Sequence, residues 1–219
     1  MNVFLDSGAF TAWTGNTKIN LQDYINFIHK NKDLITTYAN LDDITSAEKT
    51  WENQIEMERQ GLAPLPVYHS DEPIEYLHRC LEYPYFAIGG MFLKGKSVRF
   101  RQYTDIFTMI CTKENNYLPT HKIHGFAMTD PELLTRFPWF SVDSSSWVQY
   151  GKFGMVLIPR SINGEYNYTV SPWALATSTQ SKSVTQEGTK HFDNLTKQYQ
   201  IYVMNYLKEK GFVLGKSEF

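Results

Sequence analysis

A pattern that recurs along the chain restricts the folds open to it. A short apolar run ends in Asp, His or Gly, small or polar residues follow, and apolar residues then recur at helical spacing. Asp6 ends the first such run, His69 ends the third and Asp143 ends the sixth. Because strands that alternate with helices pair in parallel, the pattern predicts an α/β fold. The runs lack strict apolar–polar alternation, so we expect both faces of the sheet to be covered.

The pattern predicts seven strands and the helices between them. The strands are expected at residues 3–5, 35–41, 65–68, 85–88, 122–126, 139–142 and 154–158. Asn20 is a predicted N-cap, and Thr45 and Thr129 each begin a capping-box pattern. Residues 161–189 are rich in Ser, Thr, Asn and Gly with little periodicity, which predicts an irregular segment. Residues 190–211 are expected to form a C-terminal helix.

At 219 residues, with 42% hydrophobic and 20% charged content, the chain suits a single domain over residues 1–219. An open doubly wound sheet and a barrel both place functional groups at the carboxyl ends of their strands. Functional-looking residues follow each of the first six predicted strands. An open sheet would confine them to one crevice, so this distribution favours a barrel. Seven strands are few for a complete barrel, so we expect a TIM-like (β/α) barrel that is shortened or incomplete.

Composition and charge argue against several classes of protein. The formal net charge of −2 and the pI near 6.3 give no overall attraction to a polyanion, so a nucleic-acid contact needs a local patch. The basic run at residues 94–101 is one candidate, although such runs are usually solvated surface. Cys80 and Cys111 lack disulfide or zinc-site spacing and are predicted to be reduced core thiols. The sequence has neither a leader pattern nor a long apolar stretch, which predicts a cytoplasmic protein with no membrane partner.

The candidate site consists of groups at the strand ends. If the strands form a barrel, one opening is lined by Asp6, Asp42, His69, the backbone of Gly89 and Gly90, and Asp143. Carboxylates confined in one site push their pKa values apart, so that one is an anion while another carries a proton. Such a pair suits cleavage of a glycosidic bond, in which an anion meets positive charge at the anomeric carbon and an acid protonates the leaving group.

Each of these residues also has a purely structural interpretation. Asp6 suits a turn cap, and Asp42 and Asp43 both suit helix N-caps, so the sequence leaves open which of the two acids faces the opening. His69 and His124 suit buried core imidazoles or, less favourably, ligands of a metal shared with the aspartates. We expect no metal and no cofactor.

Five segments resemble, in order, the motifs of the tRNA-guanine transglycosylase superfamily. They are DSGAF at 6–10, LDDI at 41–44, FAIGGM at 86–91, HGFAMTDPELL at 124–134 and SVDSSSW at 141–147. The resemblance covers residues 1–159 and is closer to short phage-encoded relatives, among them enzymes that insert 7-deazaguanine bases into DNA. It implies a phage-encoded protein of the host cytoplasm, a TIM-like (β/α) barrel, and exchange of a purine for a 7-deazapurine through a covalent sugar–enzyme intermediate.

The resemblance also implies roles for individual residues. Asp143 matches the nucleophile that attacks the anomeric carbon, and Asp6 matches the residue that contacts the base and handles protons. Asp42 matches the carboxylate that binds the Watson–Crick edge of guanine, where the N1–H and N2–H₂ groups are donors. Gly89 and Gly90 match the backbone that approaches the base carbonyl.

The remaining residues expected to bind substrate are Ser7, Phe10, His69, Met91 and His124. Met91 matches an apolar neighbour of the base, and His69 stands where the family usually has Gln, which changes the hydrogen bonds offered to the base. The zinc-binding Cys/His cluster of the tRNA enzymes is absent, so DNA is the preferred polymer over tRNA. Because the chain is much shorter than those enzymes, the grip on the polymer is expected from a homodimer, a partner protein or residues 161–219.

We therefore expect a nucleic-acid base-exchange enzyme that acts through Asp143. Two alternatives stay open. One is an N-glycosidase that acts on a nucleoside, a nucleotide or a DNA base. The other is a catalytically idle barrel that serves as a binding subunit, and the set of acids at Asp6, Asp42 and Asp143 argues against it.

Overall fold

The computed structural model describes residues 3–90, 94–128, 130–177 and 189–211. The chain divides into two compact units. The first, here named the parallel-sheet unit, contains residues 1–128 and 137–143, and the second, the C-terminal unit, contains residues 129–136 and 144–219. None of the described helices has the length and apolar character that crossing a membrane requires.

The described part of the parallel-sheet unit contains six strands and five helices. Its strands are β1 (Val3–Leu5), β2 (Ile35–Tyr38), β3 (Val67–His69), β4 (Tyr85–Gly89), β5 (Lys122–Gly125) and β6 (Ser141–Val142). Its helices are α1 (Ala9–Thr14), α2 (Leu21–Lys30), α3 (Ala47–Arg59), α4 (Ile74–Cys80) and α5 (Lys96–Ile110).

The six strands form one run of parallel neighbours in chain order. β1 pairs with β2, and β3, β4, β5 and β6 pair in succession, every pair being parallel. A parallel bridge between Ala39 and Leu65 joins the two sets, and the Asn40 N–H donates to the Leu65 carbonyl at 2.9 Å. The α/β class with parallel pairing, as predicted from the sequence, is confirmed.

Contacts between distant strands show that this sheet curls strongly. The ring of Phe4 in β1 stacks on His124 in β5, with ring centroids 4.4 Å apart and an interplanar angle of 18°. In a flat sheet, four strand spacings would separate these strands by ~19 Å. Phe4 also packs against buried Ala39, Val67 and Ala87. The curled sheet therefore encloses an apolar core on the face that carries Phe4.

Helices α2 and α3 build a second core on the opposite face. Ile25 and Ile28 of α2 are 0% and 1% exposed and pack with Met57 of α3. Leu5 packs against this cluster, and because it follows Phe4 in β1 its side chain points to the other face of the sheet. The sheet is thus buried on both sides there, as the apolar runs predicted.

The helix caps agree with the sequence in part. Asn20 caps α2 as predicted, accepting the Asp23 N–H at 3.1 Å. The cap of α3 is Ser46 rather than Thr45, because the Thr45 hydroxyl is used by Asp43 while the Ser46 hydroxyl accepts the Lys49 N–H at 3.1 Å. Thr129 lies outside the described residues.

The described elements of the C-terminal unit are α6 (Pro131–Arg136), α7 (Ser146–Lys152), β7 (Met155–Ile158), β8 (Arg160–Ile162), β9 (Glu165–Asn167), β10 (Trp173–Ala176), β11 (Thr189–His191) and α8 (Lys197–Glu209). β8 and β9 form an antiparallel hairpin. β7 pairs antiparallel with β10, and β10 pairs in parallel with β11.

Two sequence-based expectations for this unit are wrong. β7 does not extend the parallel series, and the described part of residues 161–189 contains strands where an irregular segment was predicted. The apolar run of β10 forms a strand because Leu175 is buried with Ile158 of β7 and Val203 of α8, at 1%, 0% and 0% exposure. This small core supplies the burial that the surrounding Ser/Thr-rich sequence does not indicate.

The C-terminal helix is shorter than the predicted range of 190–211. Residues 189–191 form β11, and a 3₁₀ turn follows at Phe192–Asn194. Leu195 and Thr196 have extended backbones, with ψ of 149° and 153°, and the Thr196 hydroxyl accepts the Tyr199 N–H. The side-chain cap at Thr196 therefore sets the start of α8 at Lys197.

Candidate active site

Four side chains at and beyond the ends of β1, β2 and β3 form a continuous chain of hydrogen bonds. The Ser7 hydroxyl donates to Asp42 Oδ1 at 2.8 Å, and His69 Nε2 lies 2.9 Å from Asp42 Oδ2. His69 Nδ1 lies 2.9 Å from Glu72 Oε1, while Glu72 Oε2 accepts the His69 backbone N–H. The His69, Asp42 and Glu72 side chains are only 7–10% exposed. The fold thus brings together Ser7, Asp42 and His69, which the sequence placed in one site.

The two carboxylates determine the protonation of His69. Burial lowers the pKa of the imidazole, but the hydrogen bonds to Asp42 and Glu72 and the negative charges of both outweigh burial and raise the pKa to about 10. His69 is therefore an imidazolium at neutral pH and donates from both ring nitrogens. Asp42 and Glu72 accept both ring N–H groups of His69, so neither group is left to donate to a ligand. His69 therefore affects a ligand only by orienting Asp42.

The structure also separates the two adjacent acids that follow β2. Asp42 points toward Ser7 and His69, whereas Asp43 accepts the backbone N–H and the hydroxyl of Thr45 at 2.9 and 2.7 Å. Partial desolvation raises the pKa of Asp43, but these hydrogen bonds outweigh it and the pKa is lowered. Asp42 is therefore the acid of the candidate site, a choice that the sequence left open.

Asp143 follows β6 directly, and the backbone holds one of its carboxylate oxygens. Oδ1 accepts the Ala127 N–H at 2.9 Å, and the Asp143 N–H donates to the Gly125 carbonyl at 3.3 Å. Ala127 has a φ of +53°, a strained conformation for a residue with a Cβ. The side chain is 40% exposed, and no described residue bonds to Oδ2. Asp143 is thus oriented through Oδ1 and keeps Oδ2 open.

His124, which the sequence predicts to bind substrate, is a buried neighbour of Asp143. It is 2% exposed, and its Nδ1 lies 2.7 Å from Ser141 Oγ, which lies 2.7 Å from the Tyr85 hydroxyl. Its Nε2 lies 3.6 Å from Asp143 Oδ1, too long for a hydrogen bond, and has no other partner among the described residues. A buried polar atom without a partner costs about 1–3 kcal/mol, which favours any rearrangement that shortens this contact.

Asp6 has a raised pKa at the end of β1. Partial desolvation raises the pKa of its carboxyl, the Gly8 N–H opposes this by donating to Oδ1 at 3.2 Å, and the negative charges of Asp143 and Asp42 add to the rise. Solvent still reaches the side chain. Asp42 and Asp143 therefore lie close enough to Asp6 for their charges to act on it. Asp6 takes up a proton more readily than a fully solvated aspartate does.

Gly89 and Gly90, which the sequence assigned to a base carbonyl, make room for His69. A Cβ on Gly89 would lie 2.9 Å from His69 Cδ2, and a Cβ on Gly90 would lie 3.2 Å from His69 Cβ. Gly90 also has a φ of +74°, which favours glycine. Phe10 lies in α1, is 40% exposed and packs beside Trp13. Met91 lies outside the described residues.

The sequence did not single out three residues that complete these networks: Glu72, Tyr85 and Ser141. Glu72 stands three residues after His69, a spacing that brings side chains together across a tight turn. Ser141 stands two residues before Asp143, so both side chains leave the same face of the strand. Tyr85 begins β4 and had no sequence signal that distinguished it from a core aromatic.

The strand ends therefore carry an open carboxylate beside a buried imidazole, a second carboxyl with a raised pKa, and a third acid fixed by an imidazolium. This arrangement suits covalent and acid–base catalysis. In the described part of the chain, no group of three or more His, Cys, Asp or Glu side chains is placed to hold a metal ion. Comparison with protein-family models, curated proteins and solved structures gave no match.

Proposed function

We propose that this protein is a glycosyltransferase of the tRNA-guanine transglycosylase type that exchanges guanine in DNA for a 7-deazaguanine base. The observation that carries the proposal is that Asp6, Asp42 and Asp143, at or beyond the ends of β1, β2 and β6, lie close enough for their charges to act on one another, with Asp143 Oδ2 open. Exchange at a glycosidic bond requires an anionic nucleophile, a proton carrier and acceptors for the guanine N–H groups. The resemblance of the surrounding motifs to that superfamily supports the same assignment.

The fold that suits this activity is a shortened (β/α) barrel formed by the parallel-sheet unit. The strand order from β1 to β6 supports it, because a doubly wound sheet reverses its order at a switch point. The stacking of Phe4 on His124 supports it as well, since that contact requires strong curvature. In a barrel the carboxyl ends of the strands face one mouth, which accounts for the mutual proximity of acids from β1, β2 and β6.

In the first half-reaction, Oδ2 of Asp143 attacks C1′ of a guanine nucleotide. An ester bond forms between Asp143 and C1′, the C1′–N9 bond breaks, and the leaving guanine takes the proton of Asp6. In the second half-reaction the incoming 7-deazaguanine gives its N9 proton to Asp6, N9 attacks C1′, and Asp143 leaves as a carboxylate. The raised pKa of Asp6 suits a group that both gives and takes a proton.

Asp42 binds the edge of the base with the lone pairs that remain to it. Each carboxylate oxygen has two acceptor sites, and Ser7 and His69 use one on each oxygen. The two donors fix the plane of the carboxylate, so the free sites point in set directions. Guanine and 7-deazaguanine present the same N1–H and N2–H₂ donors, which allows one site to hold either base.

The test incubates the protein with guanine-containing DNA or with tRNA, together with labelled guanine or 7-deazaguanine, and measures label in the polymer. We expect incorporation into DNA by the wild type, none by Asp143→Ala, and near-normal incorporation by the matched control Asp43→Asn. Incorporation that persists in Asp143→Ala would remove Asp143 as the nucleophile. Incorporation into tRNA alone would reverse the choice of polymer.

The open Oδ2 of Asp143, on a side chain that is 40% exposed, also favours one second candidate, an N-glycosidase. In that case water attacks the sugar in place of an incoming base, so guanine is released and no label enters the polymer. The same assay detects it as free base. If the protein neither incorporates label nor releases base from DNA, tRNA or nucleosides, that result would contradict an enzymatic role and favour the idle barrel.

A further inference from the structure

The C-terminal unit has a groove of about 660 Å³ that the proposed chemistry at the strand ends does not use. Its volume lies within the usual range of ligand sites, about 300–1,000 Å³. The residues that give it chemical character are Arg160, Ile162, Trp173, Gln198, Tyr199 and Tyr202. They come from β8, from β10 and from α8.

The aromatic residues form a fixed wall with an exposed ring. Trp173 packs edge-to-face with Tyr199, with ring centroids 5.1 Å apart at 80°. The Tyr202 hydroxyl donates to the Pro159 carbonyl at 2.8 Å, and its ring lies 6.2 Å from that of Trp173. Tyr199 nevertheless remains 47% exposed. A planar ring held in place and open to solvent is a stacking platform for a nucleobase, where each stacked base contributes about 1–3 kcal/mol.

Arg160 supplies a cation beside this wall. Its Nε donates to the Ser171 carbonyl at 3.1 Å, which orients the guanidinium. Across the part of the chain that the structure describes, no carboxylate pairs with Arg160, and its other N–H groups are open to a ligand. Guanidinium suits phosphate because it offers parallel donors in a plane and keeps its charge.

The charge of the chain is divided unequally between its units. The C-terminal unit has nine Lys and Arg against seven Asp and Glu, whereas the parallel-sheet unit has twelve against sixteen. The whole-chain charge of −2 thus hides a unit of net positive charge that carries the groove. An acidic peptide would leave the stacking surface unused, and an apolar or proline-rich peptide would leave Arg160 unused. A nucleic-acid strand uses both.

We propose that this groove binds a short single-stranded segment of nucleic acid, with a base on Tyr199 and Trp173 and a phosphate on Arg160. The choice of DNA over RNA rests on the proposed function, whereas the groove is argued from its own residues. Enzymes that act on a base need that base outside the duplex, and a site that selects single strands serves this requirement.

The test measures binding of the full-length protein to fluorescein-labelled oligothymidine by anisotropy. Oligothymidine contains no guanine, so binding is measured without turnover. We expect affinity to fall about tenfold in Arg160→Gln and in Tyr199→Ala. Tyr199→Phe keeps the stacking ring and should bind like the wild type. Lys208→Gln, which removes a charge from the exposed part of α8 outside the groove, is the control for net charge and should change affinity less than twofold.

Competitors identify the ligand class in the same assay. If oligouridine competes better than oligothymidine, the groove remains a single-strand site but its ligand is RNA rather than DNA. If duplex DNA, polyglutamate or a proline-rich peptide competes better, the assignment to a single strand is overturned. The site would be overturned if Arg160→Gln and Tyr199→Ala bound oligothymidine as tightly as the wild type. It would also be overturned if the wild type did not bind oligothymidine. If the variants change oligothymidine affinity as predicted but the protein exchanges no base, only the proposed function is rejected. If the protein exchanges bases but the Arg160 and Tyr199 variants bind oligothymidine like the wild type, only the groove is rejected.

Discussion

His69 links protonation to stability because it lies between two buried carboxylates. An ordinary histidine has a pKa of about 6.5, whereas hydrogen bonds to Asp42 and Glu72 raise that of His69 to about 10. When the pKa of a group rises on folding, the group contributes its full stabilisation at pH values below its pKa in the unfolded chain. That stabilisation is lost as the pH rises through the pKa of the group in the folded protein. We therefore predict that this contribution to the free energy of unfolding declines between pH about 6.5 and about 10.

Urea unfolding followed by tryptophan fluorescence across this pH window measures the decline. The unfolding free energy reports on every titrating group together, so the ring-nitrogen NMR shifts of His69 provide the specific readout. Glu72→Gln removes one carboxylate and should lower the pKa of His69, which shifts the decline to lower pH. A His69 ring that titrates near pH 6.5 in the wild type contradicts the buried ion network.

His124 is expected to position Asp143 rather than to contact the base. Phe4 and Ser141 hold the ring while Nε2 faces Asp143 Oδ1 at 3.6 Å. His124→Phe keeps an aromatic ring on Phe4 and removes the nitrogen, so we predict a fall in kcat of about 10²-fold with little change in KM. His124→Gln, which retains a polar nitrogen, should recover part of the loss. Steady-state exchange kinetics separate the roles, since a rise in KM at constant kcat would indicate contact with substrate.

At the level of the elements, Gly125 at the end of β5 sets how closely the strand approaches Trp139. A Cβ on Gly125 would lie 2.9 and 3.1 Å from two ring carbons of Trp139. Tyr103 and Phe107 of α5 pack edge-on against that ring at 4.9 and 5.1 Å, so it has little room to move. We predict that Gly125→Ala destabilises the protein by ~1–3 kcal/mol, measured by chemical denaturation.

Gly151→Ala is the control for this substitution. Gly151 lies in α7, where an added Cβ meets nothing within 4 Å, and alanine favours a helix over glycine. We expect the Gly151→Ala variant to be as stable as the wild type or more stable by up to ~1 kcal/mol. If Gly125→Ala were as stable as Gly151→Ala, the packing of β5 against Trp139 would be looser than the structure indicates.

The strands of the parallel-sheet unit were predictable because each is a short apolar run followed by the start of a helix or a turn. β7 looks the same in sequence, yet it pairs antiparallel with β10. An apolar run specifies that a strand will be buried and does not specify its partner. The partner here lies in a Ser/Thr-rich segment whose order depends on Val203 of a distant helix, and no local pattern encodes that contact.

The candidate site was predictable to a similar extent. Asp6, Asp42 and Asp143 were identified because an acid directly after a buried strand is costly without a role. The partners of His69 and His124 were not, because they depend on side-chain directions that exist only after the chain has folded. The sequence therefore pointed to the acids of the candidate site and left open the hydrogen-bond partners Glu72 and Ser141.

At the level of the whole molecule, the two units differ in charge and in the kind of site they carry. The acids lie in the net-negative parallel-sheet unit, and the aromatic groove lies in the net-positive C-terminal unit. Raising the salt concentration is therefore expected to weaken binding of oligothymidine, since phosphate contacts release counterions. Anisotropy titrations between low and high salt measure this, and a salt-independent affinity would contradict a contact between Arg160 and phosphate.

In the proposed reaction Asp143 forms a covalent bond to the sugar. The most direct measurement incubates the protein with guanine-containing single-stranded DNA without an incoming base, stops the reaction with denaturant, and maps adducts by peptide mass spectrometry. We predict a DNA adduct on the peptide that contains Asp143, present in the wild type and in Asp43→Asn and absent in Asp143→Asn. An adduct on a different carboxylate, or base exchange that proceeds with no adduct at Asp143, would contradict the claim.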